Sequence, residues 1–471
     1  MTSTVDRPFR PSDRGPGDTA AHSAHRTGPW LTRALRSHGL RLPQYWPFVA
    51  LVGFFPLWWA LGLGSFSIII FSIPMARQLR RIKPLRVPRG FALWLCFLLA
   101  VLVSVLMLGK TAPDTLPHGA PSQLIAYSLR LFNYVASAIV MLYVGNMRTR
   151  GLTVRTILNC LATLFVVAIA GGLLGLAAPG FNFSSPVELV LPHALTSNGY
   201  VKVLVHPSAA QNQDVLGFTA PRPKAPFEYT NTWGNVTGLL VVWFIVWGLM
   251  ARARLRLFAV GVLLVALIPI VNSLNRGLWI GLGLGVLLLA ARMVMSGRLA
   301  TVIGLAAAVG TLAVVFAASP LATVVQERLD HGHSNDIRSN LAHAAFQGAV
   351  ESPVVGWGTT REVRGSYQSI AVGTSSNCAR CGNADIGSTG HFWLTIFAQG
   401  FVGMGLYLAF FLAILWHYRG VRSAVGIGAQ MTILMSMWFM FVYSAVGWPL
   451  AIQMIAVGIL WRLKDEEAEA A

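Results

Sequence analysis

His391 stands where a polar stretch turns into an apolar run. The stretch opens with Ser-Asn-Asp-Ile-Arg-Ser-Asn at 334–340 and passes Pro353 and the Gly-Trp-Gly of 356–358. It ends at Gly390-His391-Phe392-Trp393-Leu394, ahead of Gly400 and Gly403. The ordinary pKa of imidazole lies closest to neutrality of all side chains, so a histidine at such a junction suits proton transfer. The plainer alternative is a polar residue that anchors a helix at the membrane interface.

Several cations accompany the histidine. Arg276 sits in the turn Ser273-Leu274-Asn275-Arg276-Gly277 with no acid beside it in sequence. A guanidinium there either snorkels to headgroups or forms an anion site, because its fork matches phosphate oxygens. Arg338 falls in the first turn of a helix expected over 336–350, capped by Ser334 or Asn335; a cation opposes the helix dipole there, which calls for another reason. Arg222 and Lys224 lie in Pro-Arg-Pro-Lys-Ala-Pro-Phe-Glu-Tyr-Thr-Asn-Thr-Trp-Gly at 221–234, where Thr230 or Asn231 could cap the following helix. Arg130 falls inside an apolar run, so it needs a partner or a polar cavity. The Gly-x-Gly of 356–358 could let backbone approach a ligand.

The elements that must position these groups are membrane helices. Of 471 residues, 55% are hydrophobic and 11% charged, against about 25% charged in a soluble domain. Apolar runs of spanning length recur with the charges between them, which predicts an all-α polytopic membrane protein of about 12 transmembrane helices. Residues 1–44 read as a disordered basic cytoplasmic tail, 45–462 as the membrane domain, and 463–471 as an acidic cytoplasmic tail. The block Trp46–Met75, interrupted at Gly62 and Gly64, is taken as two short spans. Two large loops, 179–232 and 319–390, separate later spans.

The net charge of +19 could suggest nucleic acid. Its distribution argues otherwise: 25 of the 36 Lys and Arg fall in the tails and loops on one side, 10 on the other, and Arg130 within a span. The positive-inside rule then puts both termini in the cytoplasm and both large loops outside. No acid falls within an expected span, against the habit of proton-coupled transporters. Cys96 and Cys160 lie in apolar runs as packing residues. Cys378 and Cys381 form a Cys-x-x-Cys without further ligands at zinc spacing, so a local disulfide is expected rather than a metal site.

An outward membrane cavity lined by arginines and one histidine fits a diphosphate-bearing lipid. The arginines would hold the leaving group in place of a divalent ion, and the histidine would take a proton from an attacking hydroxyl. The order of features is Arg-x-x-x-x-Phe-x-x-x-Asn at 222–231, Ser-x-x-Arg-Gly at 273–277, an arginine helix followed by Pro-x-x-Gly-x-Gly at 353–358, and His-x-x-Leu at 391–394. This order resembles the O-antigen ligase and Wzy-type polymerase superfamily over roughly 220–405. The sequence departs from the usual pattern at Thr230, Phe392 and Gln399.

The resemblance implies a GT-C-type helical arrangement and a metal-independent, cofactor-free glycosyltransferase of the cytoplasmic (inner) membrane. Its donor would be a polyprenyl-diphosphate-linked glycan, and its acceptor a glycan, lipid or protein on the outer face. It further implies that His391 is the catalytic base, that Arg222, Arg276 and Arg338 bind substrate, and that the bilayer rather than nucleic acid is the partner. The competing readings are a lipid-linked glycan flippase or exporter, and a peptidoglycan polymerase dependent on an external carboxylate such as Asp330, Asp336 or Asp385.

Overall fold

Apolar side chains face outward along much of the helical surface, and polar ones are gathered inside. Leu257, Leu264 and Leu287 are 73%, 54% and 67% exposed, whereas Arg130, Asn133, His391 and Gln399 are buried. That inversion is what a lipid solvent selects, since soluble chains rarely expose continuous apolar faces. The computed structural model describes residues 43–470 except 118, 215–218, 296, 298, 320, 331–333, 364–366, 369–380 and 383–384. The expected N-terminal tail and the expected Cys378–Cys381 bridge therefore lie outside the described residues.

The principal helices are α1 (Trp46–Gly53), α2 (Ser67–Leu79), α3 (Phe91–Val103), α4 (Ala120–Asn146), α5 (Val154–Ala177), α6 (Thr230–Leu249), α7 (Ala253–Asn272) and α8 (Arg276–Met295). They continue with α9 (Leu299–Ala317), α10 (Ser334–Glu351), α11 (His391–His417), α12 (Ala424–Phe439) and α13 (Trp448–Ala470). Among the described residues six stretches are long and apolar enough to cross a membrane: Gln123–Asn146 within α4, α5, α6, α7, α8 and α11. Each coincides with an expected span. Phe91–Met107 and Ala424–Phe439 are apolar but shorter. The block 46–75 breaks at Gly62, which takes φ +81°.

Close packing explains the order of the bundle. The α13 helix lies along α4, where a Cβ on Gly145 would strike the Trp461 ring and one on Gly458 would come within 2.8 Å of the Met141 carbonyl. Small residues let membrane helices approach to backbone contact in this way. The α13 helix also runs on through the expected acidic tail to Ala470. There Glu469 pairs with Arg86 and Arg148, and Glu466 pairs with Arg462. The tail is thus an extension of the last helix whose acids meet basic loops, a pairing that net composition does not reveal. Cys96 is exposed on α3 rather than packed, while Cys160 is buried.

Both large loops are folded, which modifies the purely helical expectation. In the first, β1 (Ala210–Asp214) pairs antiparallel with β2 (Thr219–Pro223), with Gln211 opposite Arg222. The hairpin base rests on α5, where Gly171 and Gly175 leave room for the carbonyls of Ala225 and Ala209. In the second, β3 (Arg361–Glu362) pairs with β6 (Asp385–Ile386), and β4 (Tyr367–Gln368) with β5 (Cys381–Gly382). Leu341, Ala345, Trp357, Val363, Ile386 and Phe397 form a small core that seats this loop on the bundle. In a chain otherwise stripped of cysteine, a single cysteine at Asn212 is expected to react with an impermeant thiol reagent from outside, and one at Lys83 to stay unlabelled. The reverse pattern would invert the orientation read from the charge bias.

Candidate functional site

Helix α11 is bent by design of its sequence. Gly400 takes φ +68° inside it, which frees carbonyls of the preceding turn. The Trp357 amide donates to Phe397 (2.9 Å) and the Gly358 amide to Ala398 (2.8 Å), while the Val402 amide reaches Pro353 (3.3 Å). A Cβ on Gly356 would lie 2.4 Å from the Ala398 carbonyl carbon. The Pro-x-x-Gly-x-Gly segment therefore approaches the helix kink, not a ligand. Its glycines are there for backbone-to-backbone docking, which also satisfies the groups a break in a membrane helix exposes.

The N-terminus of α11 is held by the turn between α12 and α13. Five successive carbonyls of that turn accept hydrogen bonds from three other helices, α11, α10 and α6. Met440 and Tyr443 take the amides of Phe392 and His391, both at 2.8 Å. Phe441 takes the Trp393 indole (3.1 Å), Val442 takes Arg338 Nη1 (3.2 Å), and Ser444 takes Asn235 Nδ2 (3.0 Å). Two orphan donors of a helix start are thus met by a distant segment. Helix α10 runs from Ser334, so Ser334 and Asn335 lie within it rather than capping it, and Arg338 is its fifth residue; its bond to Val442 gives it a partner there. A Cβ on Gly390 would lie 2.6 Å from the Phe441 carbonyl oxygen. Gly390→Ala is therefore expected to lower thermal stability by about 1–3 kcal/mol, as overpacking does. Gly405→Ala in the same helix, where nothing lies within 4 Å, is expected to melt at or above the wild-type temperature. Equal melting of both variants would remove the clamp from the account.

His391 does not face outward as the sequence suggested. Its ring is fully buried, edge-on to Tyr134 (6.0 Å between centroids) and tilted on Tyr407 (4.9 Å). The reason is the roof made by residues 440–443, which turns the first residue of α11 into the bundle. Neither ring nitrogen has a hydrogen-bond partner among the described residues. Nearby, α4 presents Arg130, Asn133, Tyr134 and Ser137 at helical i, i+3, i+4, i+7 spacing, and each has a buried polar atom without a partner. Both amide atoms of Gln399, on α11, are in the same state. Arg130 is close enough to act electrostatically on both His391 and Arg361. Buried polar atoms are nearly always paired in folded proteins, so such a concentration marks groups whose partners are a ligand or solvent.

Sequence reasoning found Arg130 but missed the rest of its stripe, although the three- and four-residue spacing was there to read. It also missed Arg361. That guanidinium is 1% exposed and donates to the carbonyls of Met107, Leu108, Trp357, Thr359 and Thr360 at 2.9–3.3 Å. Burial, then the charge of Arg130, brings its pKa down to about 10. It is a tie between the second loop and the end of α3, and nothing local in sequence announces it.

The arginines named from the sequence gather around Tyr443, in the 440–444 turn. Arg222 is 5% exposed and donates through Nε to Ser273 (2.7 Å), through Nη1 to Gln213 Oε1 and through Nη2 to Asn275 Oδ1 (3.1 Å). Its fork is engaged by protein acceptors. Asn275 in turn donates to the Thr230 carbonyl (3.1 Å). Lys224, 7% exposed, donates to the Glu228 carbonyl (3.1 Å). Neither cation is the solvated headgroup contact that composition suggests, because the hairpin folds back over the helix ends. Thr230 and Asn231 do not cap α6, whose preceding residue is Tyr229; Thr230 donates instead to the Arg222 carbonyl (3.3 Å).

Arg338 lies beside Tyr443 and Arg276. Burial, with Arg276 adding to it, lowers the Arg338 pKa from its ordinary value. Arg276 opens α8, immediately after Leu274 in the left-handed region (φ +55°) and Asn275. Tyr443 feels the charges of both Arg222 and Arg338, and its hydroxyl lies against the positions of Gly277 and Gly234. Two cations thus converge where Arg338 has one hydrogen bond, to Val442, among the described residues. Among the described residues no three of His, Cys, Asp and Glu are grouped as metal ligands. No protein-family model matches this chain, nor does any curated protein or solved structure.

Proposed function

We propose that the chain is a membrane glycosyltransferase of the O-antigen ligase or Wzy-type polymerase kind. It moves a glycan from a polyprenyl-diphosphate carrier to a glycan, lipid or protein acceptor on the outer face of the cytoplasmic membrane. In this reading about twelve spans in a GT-C-type arrangement leave both termini cytoplasmic. The observation that carries the proposal is that one run of carbonyls, 440–444, holds both the buried histidine and Arg338, whose charge Arg276 in turn feels.

The chemistry divides accordingly. Arg276 and Arg338 bind the diphosphate and stabilise the charge that develops on it as the sugar–phosphate bond breaks. His391 accepts the proton of the attacking hydroxyl as the new glycosidic bond forms. Arg130 supplies a fixed positive charge in the chamber, which favours an attacking oxygen as it loses its proton. Arg222 positions: it ties the β hairpin to the turn that presents Arg276. Attack from the side opposite the diphosphate inverts the anomeric centre, and with arginines carrying the charge no metal enters the reaction.

The test is turnover of a lipid-diphosphate glycan by the purified full-length chain in EDTA, with formation of a new glycosidic bond as the readout. Bond formation supports transfer. Transbilayer movement of the labelled lipid without bond formation would support the exporter instead, since a buried polar stripe on a spanning helix would also serve a polar lipid headgroup.

A further inference from the structure

Helix α11 reverses direction within its length. Residues 391 and 407 are sixteen apart, which in a straight helix is about 24 Å. Their rings nonetheless lie 4.9 Å apart between centroids, which side chains on a straight helix could not achieve. The chain folds back at Gly400, whose φ +68° and ψ −176° belong to a region that glycine alone enters readily. The half-helix 401–417 therefore returns toward the start of the half-helix 391–399 and brings Tyr407 up to the histidine.

Tyr407 is one of two walls. The other is Tyr134 of α4, 6.0 Å from the imidazole and inclined at 65° to it. Both tyrosine rings rest in turn on Phe97 of α3, edge to face at 5.0 and 5.3 Å. Trp94, one turn earlier, lies 6.2 Å from Tyr134 and 6.0 Å from Tyr407. All five side chains are 0–1% exposed. Helices α3, α4 and α11 thus meet in an aromatic box that the imidazole completes.

Hydrogen bonding does not orient that imidazole. Neither of its nitrogens has a partner among the described residues. The last torsion of a histidine is broad, whereas a base acts only within a narrow range of distance and angle to the proton it takes. Packing is what remains to fix the torsion, and ring contacts fix it without occupying a nitrogen. The tyrosine hydroxyls add little to the hold. Among the described residues that of Tyr134 has no partner, and that of Tyr407 reaches Gln453 Oε1 at a long 3.5 Å. We infer that Tyr134 and Tyr407 are positioning residues, whose rings keep the imidazole of His391 in the plane from which it accepts a proton. The use of that proton rests on the transfer reading; the box itself can be tested without it.

Two measurements are made on the purified full-length chain and its variants: kcat and KM for glycosyl transfer, and carbethoxylation of His391 by diethyl pyrocarbonate, read by mass spectrometry. Tyr407→Leu and Tyr134→Leu are each expected to lower kcat about 10- to 100-fold with donor KM within about twofold of wild type, the cost of a base misplaced by about an ångström. Tyr407→Phe and Tyr134→Phe keep the ring and are expected to recover most of kcat. Phe165→Leu, a cut in the buried core of α5 away from the box, is expected to melt earlier with kcat per folded molecule unchanged. His391 is expected to react with the reagent several-fold faster in the two leucine variants than in the wild type or the phenylalanine variants. A leucine variant that keeps wild-type kcat removes its tyrosine from the assignment and leaves the transfer reading standing. A loss carried by donor KM instead of kcat would overturn the assignment, because the rings would then serve binding. Phenylalanine variants as slow as the leucine ones would overturn it too, because the hydroxyl rather than the ring would then act. If the wild type forms no glycosidic bond, the transfer reading falls and the reagent alone decides: the box stands if the leucine variants lose protection of His391, and falls if they keep it.

Discussion

His391→Ala is expected to lower glycosyl transfer by roughly two to four orders of magnitude, the usual contribution of a general base. The imidazole is fully buried, and its two nitrogens have no partner among the described residues. Its backbone is fixed on both sides: the amide by Tyr443 and the carbonyl by Thr395 Oγ1 at 2.7 Å. Such a ring is positioned without being consumed by the fold. Donor binding is expected to persist in the variant, because Arg338 is held by the Val442 carbonyl and not by His391. The measurement is single-turnover transfer in EDTA by wild type and variant, with melting curves to confirm folding. A folded variant with near-wild-type turnover would end the base assignment, and loss of wild-type activity in EDTA would end the metal-independent mechanism.

Arg338→Ala and Arg276→Ala are each expected to reduce kcat/KM for the diphosphate donor by roughly 10- to 100-fold, about 1.5–3 kcal/mol for a charge-assisted hydrogen bond. Arg338 also holds the Val442 carbonyl, so its alanine variant loosens the turn that caps α11. Lysine separates the two effects. A lysine can restore the charge and a donor for Val442 but not the two-pronged fork, so stability should recover while donor use does not. Arg222→Ala should behave in the opposite manner, melting earlier with a smaller change in donor KM, because its donors go to Ser273, Gln213 and Asn275. Wild-type donor use in both lysine variants would reduce Arg276 and Arg338 to point charges.

The sequence by itself determined the class of molecule and the neighbourhood of its site. Apolar runs of spanning length are local, so α4 to α8 and α11 were legible where they occur. The junction at His391, the turn before Arg276 and the misplaced cation at Arg338 were visible because each breaks a local rule: a polar residue at a helix mouth, a charge in a tight turn, a cation at a positive helix end. Arg130 was visible for the same reason, as a charge inside an apolar run.

What the tertiary structure decided depends on partners far apart in the chain. The carbonyls that cap α11 come from about fifty residues downstream, and those that hold Arg361 come partly from Met107 and Leu108. Hydrogen bonding to a carbonyl leaves no trace in the sequence of the acceptor, since every residue has one. For that reason sequence could not tell that Arg222 is engaged by protein acceptors while Arg338 has, among the described residues, one such bond, to Val442. Nor could it tell that the Gly-x-Gly of 356–358 meets a kinked helix. The direction of His391 was misjudged on the same ground: local pattern placed the ring at the mouth of a helix, and the turn at 440–443 rotated that mouth inward.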